Sequence, residues 1–499
     1  MTGTGSPEVD VEVIIVGAGI SGIGAGSRLV TERPSTSFLL VDARSSVGGT
    51  WDLFRYPGIR SDSDLITYGY EYKPWTDKQA IAPGGAILAY LRDTIREYDL
   101  EPHLRLGRKV VNAAWSSADT RWTVSMLNTA TGAVETVTAR WIFSATGYFD
   151  HAEGFRPTFA GEQQFGGQIV HPQHWPQDLD YTGKRVVIIG SGATAVTMLP
   201  AMTDRAAHVT MLQRSPSYVV PLPSQDLVVK VLRRFLPTNQ AFRGARRANI
   251  ARIAFIVGLS RRHPDKVRRL IRWVNKTSLP KGFDVDTHFN PSYNPWDERM
   301  CVVPDGDLFK AIKAGKASVV TDRITRFTAD GVEPESGQVL PADIVVTATG
   351  MNLLPFGAID ACVDGRPVKW SESVTYKSFM LCGIPNFAYA FGYTNNSWTL
   401  KVDLVTEHWC RLLAHMAKHG HDTVVPTLED PHLPRRPFID DLSSSYLRRG
   451  IESFPSQGGS GPWSADMHYP TDLERLRKGP VQDDVLVFGA AARTIPIAA

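Results

Sequence analysis

Two short apolar runs, each ending in a glycine-rich turn, constrain this chain more than any other feature. Val13-Ile14-Ile15-Val16 leads into Gly17-Ala18-Gly19-Ile20-Ser21-Gly22, and Arg185-Val186-Val187-Ile188-Ile189 leads into Gly190-Ser191-Gly192-Ala193-Thr194-Ala195. Such a run suits a parallel strand covered on both faces. The G-x-G-x-x-G/A pattern behind it turns the strand at once into a helix whose free amides face an anion. Gly17 makes the tight turn, Gly19 lets backbone approach a pyrophosphate, and Gly22 lets helix and strand pack closely; Gly190, Gly192 and Ala195 repeat the pattern. A further run, Phe38-Leu39-Leu40-Val41, ends at Asp42, twenty residues past Gly22, where a carboxylate can accept hydrogen bonds from a ribose diol. Glycines in an ordinary turn are the plainer reading, and the strand and helix patterns on both sides argue against it. The expected fold class is α/β, with two Rossmann-like dinucleotide-binding domains.

Length and cysteine usage narrow the field further. At 499 residues the chain exceeds one core and should divide into two or three domains. Cys301, Cys362, Cys382 and Cys410 lie far apart with no C-x-x-C pair. That spacing argues against a disulfide framework, a zinc site or a dithiol reductase, so no metal is expected and a reducing, cytoplasmic setting fits. The first ten residues do not read as a signal peptide, and no run of eighteen apolar residues exists, so no transmembrane helix is predicted.

The two sites ask for different dinucleotides. Gly48-Gly49-Thr50-Trp51 follows Asp42 closely, and Ser144-Ala145-Thr146-Gly147 and Thr347-Ala348-Thr349-Gly350 each end an apolar stretch in small residues. These turns resemble the A-T-G turns of FAD-dependent oxygenases, and the resemblance implies FAD at the first site, with Gly49, Thr50, Trp51 and Gly350 among its contacts. The strand after the second site ends in Gln213-Arg214-Ser215-Pro216, without the acid an NAD site would carry. Arg214 and Ser215 offer donors to a 2′-phosphate, which selects NADPH. The alternative is a solvated Arg214 and a site open to either nicotinamide. With both cofactors on one chain the nicotinamide reduces the flavin, and without a dithiol, oxygen is the natural next acceptor.

Between the two glycine patterns stands Phe165-Gly166-Gly167-Gln168-Ile169-Val170-His171-Pro172-Gln173-His174-Trp175-Pro176, which reads F-x-G-x-x-x-H-x-x-x-W-P. Gly48 to Asp62 reads G-G-x-W-x-x-x-x-Y-P-G-x-x-x-D. Both resemble the motifs of Baeyer–Villiger monooxygenases, class B flavoprotein monooxygenases, and the resemblance covers nearly the whole chain. Arg55–Asp64, Asn290–Met300 and Tyr393–Leu400 look nearest to the mycobacterial ethionamide-activating group. The resemblance implies insertion of one O2-derived oxygen beside a ketone carbonyl, through a C4a-peroxyflavin, giving an ester or lactone at the expense of NADPH. Small-molecule ketones or thioethers are then the substrates, with sulfoxidation as a side reaction. It implies that Arg299 stabilises the peroxide anion and the oxyanion of the adduct, and that Asp62 positions Arg299. A surface ion pair of Arg299 with Asp297 or Glu298 is the plainer reading. Glu298 departs from the family, where a lysine often precedes this arginine and helps hold the 2′-phosphate; the grip then rests more on Arg214. Phe165, Gly167, His171 and Trp175 are expected to couple domain movement to the cofactors, although a hydrogen-bonded, purely structural His171 reads nearly as well. Tyr56, Asn396 and Trp398 are expected at the flavin or substrate edge. Two rivals stay open: an N- or S-oxygenating flavin monooxygenase, whose fingerprint normally ends in Phe or Tyr rather than Trp175, and an NADPH-dependent flavin reductase without insertion.

Charge singles out one segment. From Lys230 to Lys276 there are fourteen Lys or Arg and one acid, Asp265; the rest of the chain holds 40 basic and 50 acidic residues. The organisation expected is a FAD-binding domain from 1–150 and 345–499, an NADPH-binding domain from 151–218 and 291–344, and a basic helical insert over 219–290. The insert reads as two or three amphipathic helices. It is either a cap with a solvated basic face or a peripheral contact with the inner face of a membrane through residues 230–276. Nucleic acid is not expected, since no recognition module or stacking platform accompanies the charge. The sequence leaves the oligomeric state open.

Overall fold

The computed structural model describes residues 8–489 apart from 299, 429 and 431. Its larger sheet has eleven strands. The parallel part runs Phe387–Tyr389, Val134–Ser144, Val11–Val16, Phe38–Asp42, Leu104–Leu106. The long strand Val134–Ser144 also closes an antiparallel meander with Arg108–Ser116 and Arg121–Asn128. A second sheet of five parallel strands runs Ala317–Thr321, His208–Gln213, Arg185–Ile189, Ile344–Thr347, Gln168–Val170. In each sheet the strand that feeds a glycine loop lies between neighbours whose connections run in opposite directions, the place where open α/β sheets bind ligands. The expected α/β class with two Rossmann-type units is the observed one.

The apolar runs form strands because both their faces find a core. Val13 and Ile15 join one cluster while Ile14 and Val16 join the opposite one, and Val186 and Ile188 are divided from Val187 and Ile189 in the same way. The helices that follow, Ile20–Glu32 and Ala193–Met202, start at Gly19 and Gly192 without a side-chain cap, so their first amides are left for a ligand. Sterics demand the first loop's glycines. Gly17 has φ +108°, and a Cβ on Gly22 would stand 1.8 Å from the Gly17 carbonyl oxygen.

The chain crosses between sheets twice, and the two crossings pair. Phe149–Gly154 runs antiparallel to Met351–Leu353, with Met351 opposite Gly154 and Leu353 opposite Phe149. Helix Ser445–Gly450 packs on this ribbon, where a Cβ on Gly450 would stand 2.7 Å from Leu353 Cβ.

The basic segment is helical, with long helices Thr238–Arg262 and Pro264–Ser278 flanked by the short Leu227–Leu232 and Val285–Phe289. Although its sequence interrupts the second unit, the first long helix docks on the first. Phe242 and Ala245 enter the core of the larger sheet. Arg246 is buried there and donates to the carbonyls of Ile66, Thr67 and Gly69 and to Asp403. Among the described residues no helix is long and apolar enough to cross a membrane.

Candidate active site

A single cavity of about 1650 Å³ lies between the two sheets. That exceeds the roughly 300–1,000 Å³ of an ordinary small-molecule pocket and leaves room for two extended ligands. Gly17, Gly19, Asp42, Gly49, Thr50, Trp51 and Asp62 line it from the first unit, and Gly190, Gly192, Arg214, Ser215 and Gly350 from the second side, where Tyr56 also packs. His171 and Trp398 also reach it. Gly22 and Ala195 sit behind the loops, within the first turn of their helices, where the close helix packing occurs.

Local contacts fix several of these groups. Asp42 Oδ2 accepts from the Ala18 amide at 2.7 Å and Oδ1 from the Arg44 amide at 2.8 Å. Burial pushes its carboxyl upward while those two amides pull it back. Trp51 Nε1 donates to Tyr68 Oη at 2.9 Å, and Trp398 Nε1 to Ser21 Oγ at 2.8 Å, so both indoles are held in the wall. Tyr56 belongs to the core of the second unit, and burial pushes its phenol up to about 12, keeping it protonated. The Tyr56-Pro57-Gly58 turn packs on helix Ala193–Met202, where a Cβ on Gly58 would stand 2.7 Å from the Thr197 carbonyl oxygen. Arg214 is exposed at the mouth.

The fingerprint residues split. His171 Nδ1 accepts from the Gln173 amide, and its ring lies so close to the ribbon that a Cβ on Gly154 would stand 2.0 Å from Cε1. Burial holds this imidazole below its ordinary range, so it is neutral near pH 7. Gly167 leaves room for the Asp343 carbonyl beside the edge strand Gln168–Val170, and Phe165 meets Phe327 edge-on at 5.9 Å. Trp175 packs, partly buried, against the second unit's core. Phe165, Gly167 and Trp175 therefore act behind the cavity wall. Asn396 is not brought to the cavity either; its side-chain oxygen accepts from the Ser397 amide at 2.8 Å. Arg299 lies outside the described residues, while Glu298 and Met300 on either side of it in the sequence line the cavity. Glu298 is half-buried, and desolvation pushes its carboxyl up against the pull of Arg448.

Sequence reading missed the contribution of the C-terminal segment. Ser444, Tyr446, Arg448 and Arg449 all line the cavity. The Arg449 guanidinium lies 3.5 Å from the centre of the Phe155 ring. The adjacent arginines were the one local signal, and nothing near them in sequence indicated the ribbon they cover.

Two uncapped helix N-termini opening on one cavity define an oxidoreductase of the two-dinucleotide flavoprotein class. A family model described as pyridine nucleotide-disulphide oxidoreductase matches residues 14–235, which run from the first glycine loop past the second. The matched span contains none of the four cysteines, so what is shared is the nucleotide scaffold and not a dithiol. The FAD-containing monooxygenase EthA of Mycobacterium tuberculosis is 47% identical over 488 residues, 98% of this chain and 99% of that protein. The chain belongs to this family of FAD-containing monooxygenases. Among solved structures, oxidized steroid monooxygenase bound to NADP matches 96% of this chain and 99% of its own, with TM-score 0.77 at 21% identity. An open structure of cyclohexanone monooxygenase matches 84% and 90% with TM-score 0.69 at 20% identity. At such identities these two support the fold alone.

Proposed function

We propose that this monooxygenase carries out Baeyer–Villiger oxidation, converting a ketone, NADPH, O2 and a proton to an ester or lactone, NADP+ and water. The observation that carries the reading is that both glycine loops and both flanks of Arg299 border one cavity. Hydride transfer between two dinucleotides needs that shared space. The residues present fit both groups. The loop glycines leave backbone where a side chain would intrude, and buried oxygens of Gln173 and Asn290 in the cavity wall lack protein partners among the described residues. Bound FAD would supply the redox chemistry, accepting hydride from NADPH and activating O2.

The chain's own residues then have distinct tasks. Amides at the start of helix Ile20–Glu32 hold the FAD pyrophosphate, and Asp42 keeps a second lone pair on each oxygen for the ribose hydroxyls. Gly190, Gly192 and Ala195 seat NADPH, with Arg214 and Ser215 on its 2′-phosphate. Arg299, positioned by Asp62, supplies a permanent cation to the oxyanion that forms at the carbonyl. Trp51 and Trp398 shape the flavin side of the substrate space, whereas Tyr56, expected there, anchors its turn on the second unit. Neutral His171 braces the ribbon between units, and Phe165, Gly167 and Trp175 tie that brace to the second sheet, so relative motion of the units reaches the nicotinamide site. Substrates are small ketones, with thioethers as a side class. We place the protein in the cytoplasm, in peripheral contact with an anionic membrane through residues 230–276.

Product analysis under ¹⁸O2 tests the reaction. A simple ketone should give ester bearing one label, and Arg299→Ala should lower ester formation about 10²–10³-fold while NADPH oxidation continues as hydrogen peroxide release. Hydrogen peroxide as the sole product of the unaltered enzyme would install the reductase reading. Oxygenation of amines or thioethers but of no ketone would install the N- or S-oxygenating one.

A further inference from the structure

The insert has two features that the oxidation does not use. Nine of the eleven large apolar side chains most exposed among the described residues fall between Leu227 and Trp273. Phe235 is 80% exposed, Phe255 68% and Trp273 63%. They recur about one helical turn apart, as Leu227 with Val231, Phe255 with Leu259, and Leu270 with Trp273. So many exposed apolar side chains concentrated in one insert mark a surface that something covers. The charge around it indicates what. Of the fourteen cations, Arg246, Arg261, Arg268, Arg269 and Arg272 have protein partners. Lys230, Arg233, Arg234, Arg247, Arg252 and Lys276 are exposed, with no ion pair among the described residues. A second copy meeting this face would oppose like charges, whereas an anionic bilayer neutralises them.

We infer that the insert is an interfacial dock, with Phe235, Phe255, Leu259 and Trp273 entering the acyl boundary and the surrounding arginines and lysines on lipid phosphates. The inference rests on the peripheral contact proposed above and deepens it. The dock is also joined to the cavity. On helix Pro264–Ser278, Arg272 pairs with Asp286 at 2.5 Å and Arg268 donates to the Tyr293 carbonyl at 2.8 Å; Asp286 and Tyr293 line the cavity. The cavity rim therefore rides on the docked helix, and the substrate class that fits is a ketone or thioether with a long apolar portion, taken up from the lipid.

Co-sedimentation of the holoenzyme with phosphatidylglycerol-containing and pure phosphatidylcholine vesicles tests the dock. The unaltered enzyme should partition onto the anionic vesicles and lose binding as salt rises. Phe235→Ser/Phe255→Ser/Trp273→Ser should weaken partition roughly ten-fold or more. Unchanged NADPH turnover on a water-soluble ketone confirms that the triple variant is folded; if it is not, Phe255→Ser alone should still weaken partition several-fold. An enzyme that binds neither vesicle removes the peripheral contact itself. Binding to anionic vesicles that the apolar variants leave intact keeps the contact electrostatic and refutes insertion. Tighter binding to an oligonucleotide, or self-association without vesicles that the variants abolish, assigns the face to a different partner and overturns the dock.

Discussion

Replacing Arg246 by methionine should strand a buried carboxylate where the insert meets the unit of the larger sheet. The guanidinium donates to the carbonyls of Ile66, Thr67 and Gly69 at 3.0, 3.0 and 2.8 Å and to Asp403 Oδ2 at 2.9 Å. Methionine keeps much of the apolar stem and removes all four bonds. Breaking a buried pair from one side costs about 3–5 kcal/mol, because the remaining charge is uncompensated. At about 2–4 °C per kcal/mol for a unit of this size, the melting midpoint falls by roughly 6–20 °C. The pH dependence gives a second, independent readout. Burial, the largest influence, pushes Asp403 from 3.8 up to about 6 even beside Arg246. A carboxyl whose pKa is higher folded than unfolded favours the fold when protonated, so this group alone adds stability as pH falls through 6 towards 3.8. Without Arg246 the folded pKa climbs further. The deficit of R246M should then be largest above pH 6 and shrink below it, and R246M/D403N should recover much of the loss. Melting followed by flavin release at pH 8.0 and 5.5 measures both. A deficit equal at the two pH values, or a double variant as unstable as the sum of the singles, would refute charge stranding.

Four further substitutions test other parts of the structure. Gly22→Ala places a Cβ 1.8 Å from the Gly17 carbonyl oxygen and should abolish FAD retention, read as flavin absorbance per mole of protein, whereas Gly192→Ala meets nothing within 4 Å and should raise only the KM for NADPH. Arg214→Gln should raise the KM for NADPH about ten-fold or more with NADH kinetics unchanged, since one charge-assisted bond to the 2′-phosphate is worth about 1.5–3 kcal/mol. Burial holds His408 from 6.5 down to about 3. A histidine depressed in the fold contributes stability that is present above 6.5 and lost as pH falls below it, so melting midpoints should drop between pH 7 and 5 and His408→Gln should flatten that drop.

How far the sequence predicted these features depends on the range of the interactions involved. The glycine loops were legible because their causes are local: the Gly22–Gly17 clash and the alternating burial of Val13 to Val16 arise within a dozen residues. Strand patterning puts Asp42 beside the first loop, but its hydrogen bonds to the Ala18 and Arg44 amides depend on how two strands and a turn meet. Asn396 was misjudged because a short polar side chain beside a helix start bonds its own backbone as readily as a ligand. The insert shows the limit most clearly. Periodicity gave its helices and composition gave its charge, but neither could say that Arg246 is spent on Asp403, 157 residues away, while Phe255 and Trp273 stay in solvent. Helical patterning reports that a face is apolar; which protein surface or lipid satisfies that face is a long-range fact. The same holds for Arg448 and Arg449, which reach the cavity only because their helix folds back over the ribbon between the sheets. In this enzyme the glycine loops are local and legible. The cavity wall around them is assembled from distant segments, including the C-terminal helix and residues that the insert's second long helix holds, so substitutions there, more than in the nucleotide motifs, should change which ketones are turned over.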